Sequence, residues 1–159
     1  MENVRLLPAT TDHLETIYKI QQEAFQPLLE KYADYDINPA MESPQIIRRK
    51  MEWPKTDSYI FKLEDTYVGW VRIINVAPGT YKVSALSVIP QYQNKGIAQA
   101  ALKEIESKYP SAKKWVLDTI LQERGNCYLY EKLGYVRVGE PHVVNENITL
   151  INYEKQISE

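Results

Sequence analysis

The sequence holds a single cysteine, Cys127, and two histidines, His13 and His142, among 159 residues. One cysteine excludes an internal disulfide, and three scattered ligands of this kind do not make a Cys/His zinc site. No apolar run approaches the roughly 18 residues that a membrane span needs. The first residues, Met-Glu-Asn-Val, lack the basic-then-apolar pattern of a secretory signal. Strong charge of either sign is missing too: the formal net charge is -2 and the isoelectric point is near 5.8. The basic runs Arg48-Arg49-Lys50 and Lys113-Lys114 are short and have acidic neighbours, so they read as solvated faces rather than a nucleic-acid footprint. These gaps lead to the expectation of a cytoplasmic protein without metal, nucleic-acid or membrane partners.

What is present is ordinary for a globular chain: 44% hydrophobic and 25% charged residues, with no repeats, low-complexity tracts or linkers. The length suits one domain over residues 1–159, large enough to bury a core without staples. Val4 to Leu7, closed by Pro8, reads as a first strand. Asp12 and Glu15 resemble a helix capping box, followed by apolar residues at helical spacing from Leu14 to Leu29, with Pro27 expected to break that helix or to start its second piece. Lys31 to Glu42 reads as a polar and aromatic loop. Ser43-Pro44 has the chemistry of a helix start, with Ile46, Ile47 and Met51 expected to face inward.

From Ser58 the period changes to that of strands. Tyr59 to Leu63, Tyr67 to Val76 and Thr80 to Ile89 form an antiparallel meander with turns at Glu64-Asp65-Thr66 and Pro78-Gly79. A helix carrying Ile97, Ala101, Leu102 and Ile105 follows, then a strand at Trp115 to Ile120. A short helix at Asn126 to Leu133 has Gly134 as its C′ residue. Tyr135 to Val138 and Ile148 to Tyr153 are the last strands. The fold class is α/β (α+β): a single mixed, mostly antiparallel sheet flanked by helices.

The segment that speaks of a ligand is Leu86-Ser-Val-Ile-Pro-Gln-Tyr-Gln-Asn-Lys-Gly-Ile-Ala98, a strand end running through a polar turn into a helix. Such a turn gathers unpaired backbone N–H groups at the positive end of a helix dipole, and no acidic residue lies among them. Gly96 permits positive φ and close backbone approach, Ala98 leaves room for a bulky anion, and Gln93 and Lys95 can add side-chain donors. A P-loop would place Gly-Lys-Ser/Thr at the helix start, and a dinucleotide fingerprint would need Gly-x-Gly-x-x-Gly after an early strand. Neither is present.

Gln93-Asn94-Lys95-Gly96-Ile97-Ala98 matches Gln/Arg-x-x-Gly-x-Gly/Ala. About thirty residues on stands Asn126-Cys-Tyr-Leu-Tyr-Glu-Lys-Leu-Gly-Tyr135. Together these resemble the two most recognisable motifs of the GNAT superfamily of N-acetyltransferases, and the element order resembles that fold over nearly the whole chain.

The resemblance implies acetyl-CoA as co-substrate, with backbone groups from Gln93, Asn94, Lys95, Gly96, Ile97 and Ala98 on its pyrophosphate. Leu86, Ser87 and Val88 would pair with pantetheine while their side chains pack in the core. Tyr130 takes the place of the family's tyrosine near the CoA sulfur, as general acid or as stabiliser of the leaving thiolate. Asn126, one helical turn earlier, either contacts pantetheine or caps its helix. The commonest family pattern has asparagine seven residues before the tyrosine, and position 123 here is Glu. Cys127 suggests a covalent acetyl-enzyme only weakly, because no histidine has an evident relation to it.

Many relatives carry a glutamate on the strand before the loop to help deprotonate the amine. This chain has Lys82, Ser84 and Ala85 there, which leaves Asp118, Glu23 or a water chain from Ser84 as candidates for the base. The implied reaction is direct acetyl transfer to a primary amine of a small molecule or peptide. The alternative is a non-catalytic CoA-binding regulatory module of the same fold. Tyr32, Asp34, Tyr35, Asp36 and Glu42 on one side, and Glu140, His142 and Glu146 on the other, would border the acceptor, and carboxylates with aromatic rings suit a cationic amine. The final strands can pair between subunits as a homodimer, as in many relatives, although no residue demands it.

Overall fold

A run of apolar residues in the third strand, Val68, Trp70, Val71 and Ile73, is buried on both faces of the sheet. That burial identifies the middle of the structure. The computed structural model describes residues 4–33 and 38–157. Among the described residues seven strands make one sheet: β1 (Val4–Pro8), β2 (Thr56–Leu63), β3 (Thr66–Ala77), β4 (Thr80–Val88), β5 (Lys114–Ile120), β6 (Val136–Val143) and β7 (Thr149–Gln156). Their order is β1-β2-β3-β4-β5-β7-β6. All neighbours are antiparallel except β4 and β5. That parallel pairing has only three rungs, Thr80 with Lys114, Tyr81 with Trp115 and Lys82 with Val116. Beyond them the two strands run on without pairing to one another, so the sheet opens as a wedge.

Among the described residues four α-helices flank the sheet: α1 (Leu14–Tyr32), α2 (Pro44–Met51), α3 (Ile97–Lys108) and α4 (Arg124–Lys132). Side-chain alternation assigns the faces. Tyr59 and Tyr81 lie on one face and meet Tyr109 just past α3: Tyr59 donates to the Tyr109 hydroxyl at 2.8 Å, and Tyr109 donates to Asp57 at 2.7 Å. Tyr81 and Trp115 stack beside it. Arg72, on the opposite face, lies beneath Trp53 just past α2. As expected, α3 buries Ile97, Ala101, Leu102 and Ile105. Gly134 takes φ +96° past the end of α4.

The structure corrects four local expectations. Helix α1 continues through Pro27. The carbonyl that loses its N–H partner is that of Glu23, and both residues lie on the exposed side, where water can serve it. Burial of Ile17, Ile20, Leu29 and Tyr32 on either side of the proline outweighs the local break. The capping box is formed by Thr10 and His13 around a short 3-10 turn, not by Asp12 and Glu15. In α2, capped by Ser43 as expected, Ile47 is buried while Ile46 faces solvent. Asn126 sits inside the first turn of α4, whose N-cap position is Glu123, so it does not cap the helix.

Candidate active site

The turn after β4 is held by Gln93, whose Nε2 donates to the Val88 carbonyl at 2.8 Å. Asn94 and Gly96 both take left-handed backbone angles, φ 62° and 81°. These curl the chain around Lys95 and aim successive N–H groups to one side, an arrangement suited to anions. Gly96 is the N-cap of α3 and offers no side-chain acceptor, and the first turn carries no acidic residue. The N–H groups of Ile97, Ala98 and Gln99 therefore have neither an intrahelical partner nor a cap. Lys95 stands outside this concavity, with its ammonium 5.6 Å from the Tyr92 ring centre.

Just upstream, β4 is bulged. Trp70 pairs with Ser87 and Arg72 with Ser84, so Ala85 and Leu86 together oppose Val71. Ala85 adopts φ 56°, and the Ser87 hydroxyl closes the bulge by donating to the Ala85 carbonyl at 2.7 Å. The bulge lies where β4 has already left β5, so one edge of residues 85–88 has no strand beside it. Gly69, opposite Val88, fixes the spacing: a Cβ there would overlap the Ser87 carbonyl oxygen and fall 2.7 Å from Phe61.

The wedge, the turn and two helices enclose a cleft of about 640 Å³. It brings together Leu86, Ser87 and Val88 from the bulged strand, Gln93, Asn94, Gly96, Ile97 and Ala98 from the turn, and Asn126 and Tyr130 from α4. Lys95 and Asp118 are not among its lining residues. The far wall is α1, through Ala24, Phe25 and Leu28.

Tyr130 is buried, its ring packed 6.0 Å from those of Tyr135 and Tyr153. Its hydroxyl makes no hydrogen bond to any described residue. Burial drives the phenol far above its ordinary range, and the charges of Asp118 and Cys127 push the same way. The neighbouring Cys127 thiol is buried and directed at the carbonyls of Ile120 and Leu121, and Cys127 does not line the cleft.

Asp118 lies on β5 where the strands part, exposed, with a carboxylate oxygen 3.8 Å from Lys82 Nζ. Glu23 is exposed on α1. The Ser84 hydroxyl accepts from Arg72 Nη2 at 3.1 Å. Glu123 occupies the cleft rim and receives Lys31 Nζ at 2.8 Å and the Tyr32 hydroxyl at 2.5 Å. Burial pushes its pKa up, but these two donors outweigh that and hold the carboxyl below its ordinary value. Among the described residues no cluster of His, Cys, Asp and Glu could hold a metal ion. No helix among them is long and apolar enough to cross a membrane. Asp34, Tyr35 and Asp36 lie outside the described residues.

Strand wedge, bulge and anion-accepting turn define an acyltransferase architecture. The sequence profile of the Acetyltransferase (GNAT) family matches residues 14–135, and the chain belongs to that family of N-acetyltransferases. No curated sequence matches it significantly. Solved structures share the fold. One is a putative phosphinothricin N-acetyltransferase, 16% identical, with 99% of this chain and 100% of that one covered at a TM-score of 0.79. Another is the ribosomal-protein-S18-alanine N-acetyltransferase from Escherichia coli, 15% identical, with 99% and 96% covered at a TM-score of 0.77. A third is a GNAT family acetyltransferase from Elizabethkingia anophelis with acetyl-CoA bound, 19% identical, with 99% and 100% covered at a TM-score of 0.69.

Proposed function

We propose that the protein transfers an acetyl group directly from acetyl-CoA to a primary amine. The observation that carries this reading is that residues of the left-handed turn, the unpaired edge of β4 and Tyr130 line one cleft. The residues fit the co-substrate. The Gln93 N–H, expected among the donors, is already given to the Pro90 carbonyl at 3.1 Å, so the N–H groups of residues 94–98 form the concavity for a diphosphate, with each charge-assisted hydrogen bond contributing on the order of 1.5–3 kcal/mol. Backbone groups of Leu86, Ser87 and Val88 meet an extended pantetheine arm as a strand meets its neighbour. Asn126 adds a side-chain donor on the same wall. Acetyl-CoA supplies an activated acyl carbon and a thiolate leaving group.

Tyr130 serves that thiolate. A phenol of pKa about 10 would give its proton to a thiol of pKa about 8.5 only uphill, by roughly 2 kcal/mol in water. Burial and the Asp118 charge make the phenol weaker still as an acid. Its role is therefore to donate a hydrogen bond to the departing sulfur, with full protonation following later. Deprotonating an alkylammonium at neutral pH costs roughly 4 kcal/mol. Asp118 is the carboxylate whose charge reaches Tyr130, and its exposure lets it pass the proton to solvent. Ser84 keeps its own hydroxyl proton while accepting from Arg72, so it can anchor a water on the same route.

An amine acceptor is also what the fold's relatives use: one acts on the alanine of ribosomal protein S18. The test is thiol release from acetyl-CoA across a panel of primary amines, with mass spectrometry of the product. Acetylated amine with stoichiometric CoA is the expected result. Tight CoA binding without acetylation of any amine would replace this reading with that of a binding module.

A further inference from the structure

Arg72 is 4% exposed, on the face of the sheet covered by α1 and α2. Its Nη2 donates to Ser84 Oγ, and its guanidinium carbon stands 5.4 Å from the Trp53 ring centre. Nε and Nη1 are buried without any acceptor. A guanidinium stays charged in a protein, and its donors are expensive to leave unmet. Glu42, whose field acts on Arg72, is already engaged, held by Lys50 at one oxygen and by Gln21 Nε2 at the other. Among the described residues the positive charge of Arg72 thus has no directly bonded anion.

A second unmet group stands on α1. Gln21 is 1% exposed, and its Nε2 donates to the Pro39 carbonyl and to Glu42. Both partners accept only, which fixes the amide orientation and leaves Oε1 buried without a donor. Gln21 is one helical turn before Ala24 and Phe25, which wall the cleft. Arg72 is on the rung next to the β4 bulge, so its side chain rises one strand spacing, about 4.8 Å, from the bulge that borders the cleft.

We propose that Arg72 binds the carboxylate of the acceptor, so that the acceptor is an amino acid rather than a simple amine or polyamine. This rests on the acetyl-transfer reading for the place of the acceptor, not for the anion site itself. Planar guanidinium and planar carboxylate match two donors to two acceptors, and an amine lacking the carboxylate leaves the buried donors as they are. Trp53, half exposed, covers the guanidinium and is the side chain that an entering ligand displaces.

Matched pairs that differ only in the carboxylate make the test: tyrosine and tyramine, methionine and 3-methylthiopropylamine, lysine and cadaverine. Thermal unfolding of the full chain saturated with CoA reads binding without catalysis. At least one amino acid should raise the unfolding temperature by several degrees, roughly what a ligand at a hundred times its Kd gives a chain of this size, while its amine partner does not. Arg72→Met should abolish the shift yet unfold no earlier than the parent without ligand, because it removes an unpaired buried charge at similar volume. Arg72→Lys keeps the charge without the planar fork and should weaken binding roughly tenfold. The proposal is overturned if no amino acid shifts the transition or if amines shift it equally. It is also overturned if Arg72→Met leaves the shift intact, which would assign the guanidinium to ordered water. Thiol release separates the two readings: carboxylate-dependent binding without acetylation ends the enzyme reading alone, and acetylation indifferent to the carboxylate ends this one alone.

Discussion

Tyr130→Phe removes one oxygen from a ring otherwise held by apolar and aromatic contacts, so its effects on folding, binding and turnover separate cleanly. The hydroxyl bonds to no described residue, and the ring stays packed against Tyr135 and Tyr153. Its loss should leave stability unchanged or raise it by up to about 1 kcal/mol, because no partner is orphaned. The diphosphate turn lies on another element, so acetyl-CoA affinity should move by less than about threefold. Turnover should fall. A hydrogen bond to a charged group is worth roughly 1.5–3 kcal/mol, which converts to a loss in kcat of roughly 10- to 150-fold. Three measurements on one preparation decide the matter: a thermal melt, a titration with acetyl-CoA and a thiol-release progress curve. An unchanged kcat with an active amine would remove Tyr130 from the chemistry. A large loss of acetyl-CoA affinity would make it a binding residue instead.

Three further outcomes follow from the same geometry. Ala98→Glu places a carboxylate beside the uncapped N–H groups of α3; at about 4 Å and an effective dielectric near 20 the repulsion is about 4 kcal/mol. Calorimetry should find acetyl-CoA binding weakened at least roughly 100-fold with the melt unchanged. Gly69→Ala sets a Cβ against the Ser87 carbonyl and Phe61, and overpacking near the upper end of about 1–3 kcal/mol lowers the unfolding temperature by roughly 6–12 °C. A melt within a degree of the parent would show that β3 and β4 separate easily. Burial raises the phenols of Tyr109, Tyr130, Tyr135 and Tyr153 furthest, so the unfolded chain releases these protons near pH 10 while the folded one retains them. Their contribution to stability should be flat below that pH and fall above it by about 5 kcal/mol per unit, from four groups at about 1.36 each. Urea denaturation between pH 9 and 11 checks the slope, and a flat profile would refute it.

The order of elements and the left-handed turn of the candidate site were legible because they depend on local signals. Ser43-Pro44, Pro78-Gly79 and Gly134 punctuate the chain by backbone chemistry, and Gly96 marks the turn by its freedom at positive φ. Asn126 and Tyr130 share a helix face by spacing alone. What escaped depends on distant partners. Pro27 reads as a break until the burial of residues on both sides of it is weighed. The left-handed residue of the bulge is Ala85, a residue type that carries no such signal. Glu123 looks like a departure from a family pattern, and only the fold supplies Lys31 and Tyr32 to hold it. Arg72, within Trp-Val-Arg-Ile-Ile, reads as the polar position of an alternating strand, and its burial follows from α1 and α2 folding over that face.

The three-rung seam between β4 and β5 makes the sheet two plates joined at one end: β1 to β4, and β5 with β7 and β6. Arg72 and Ser84 ride on the first plate, and Asp118 with the helix bearing Tyr130 rides on the second. A pantetheine arm laid along the free edge of β4 would act as a shim, setting the opening angle of the plates. The distance between acceptor and leaving group would then be calibrated by the donor itself, and chemistry would wait for both halves to be in place.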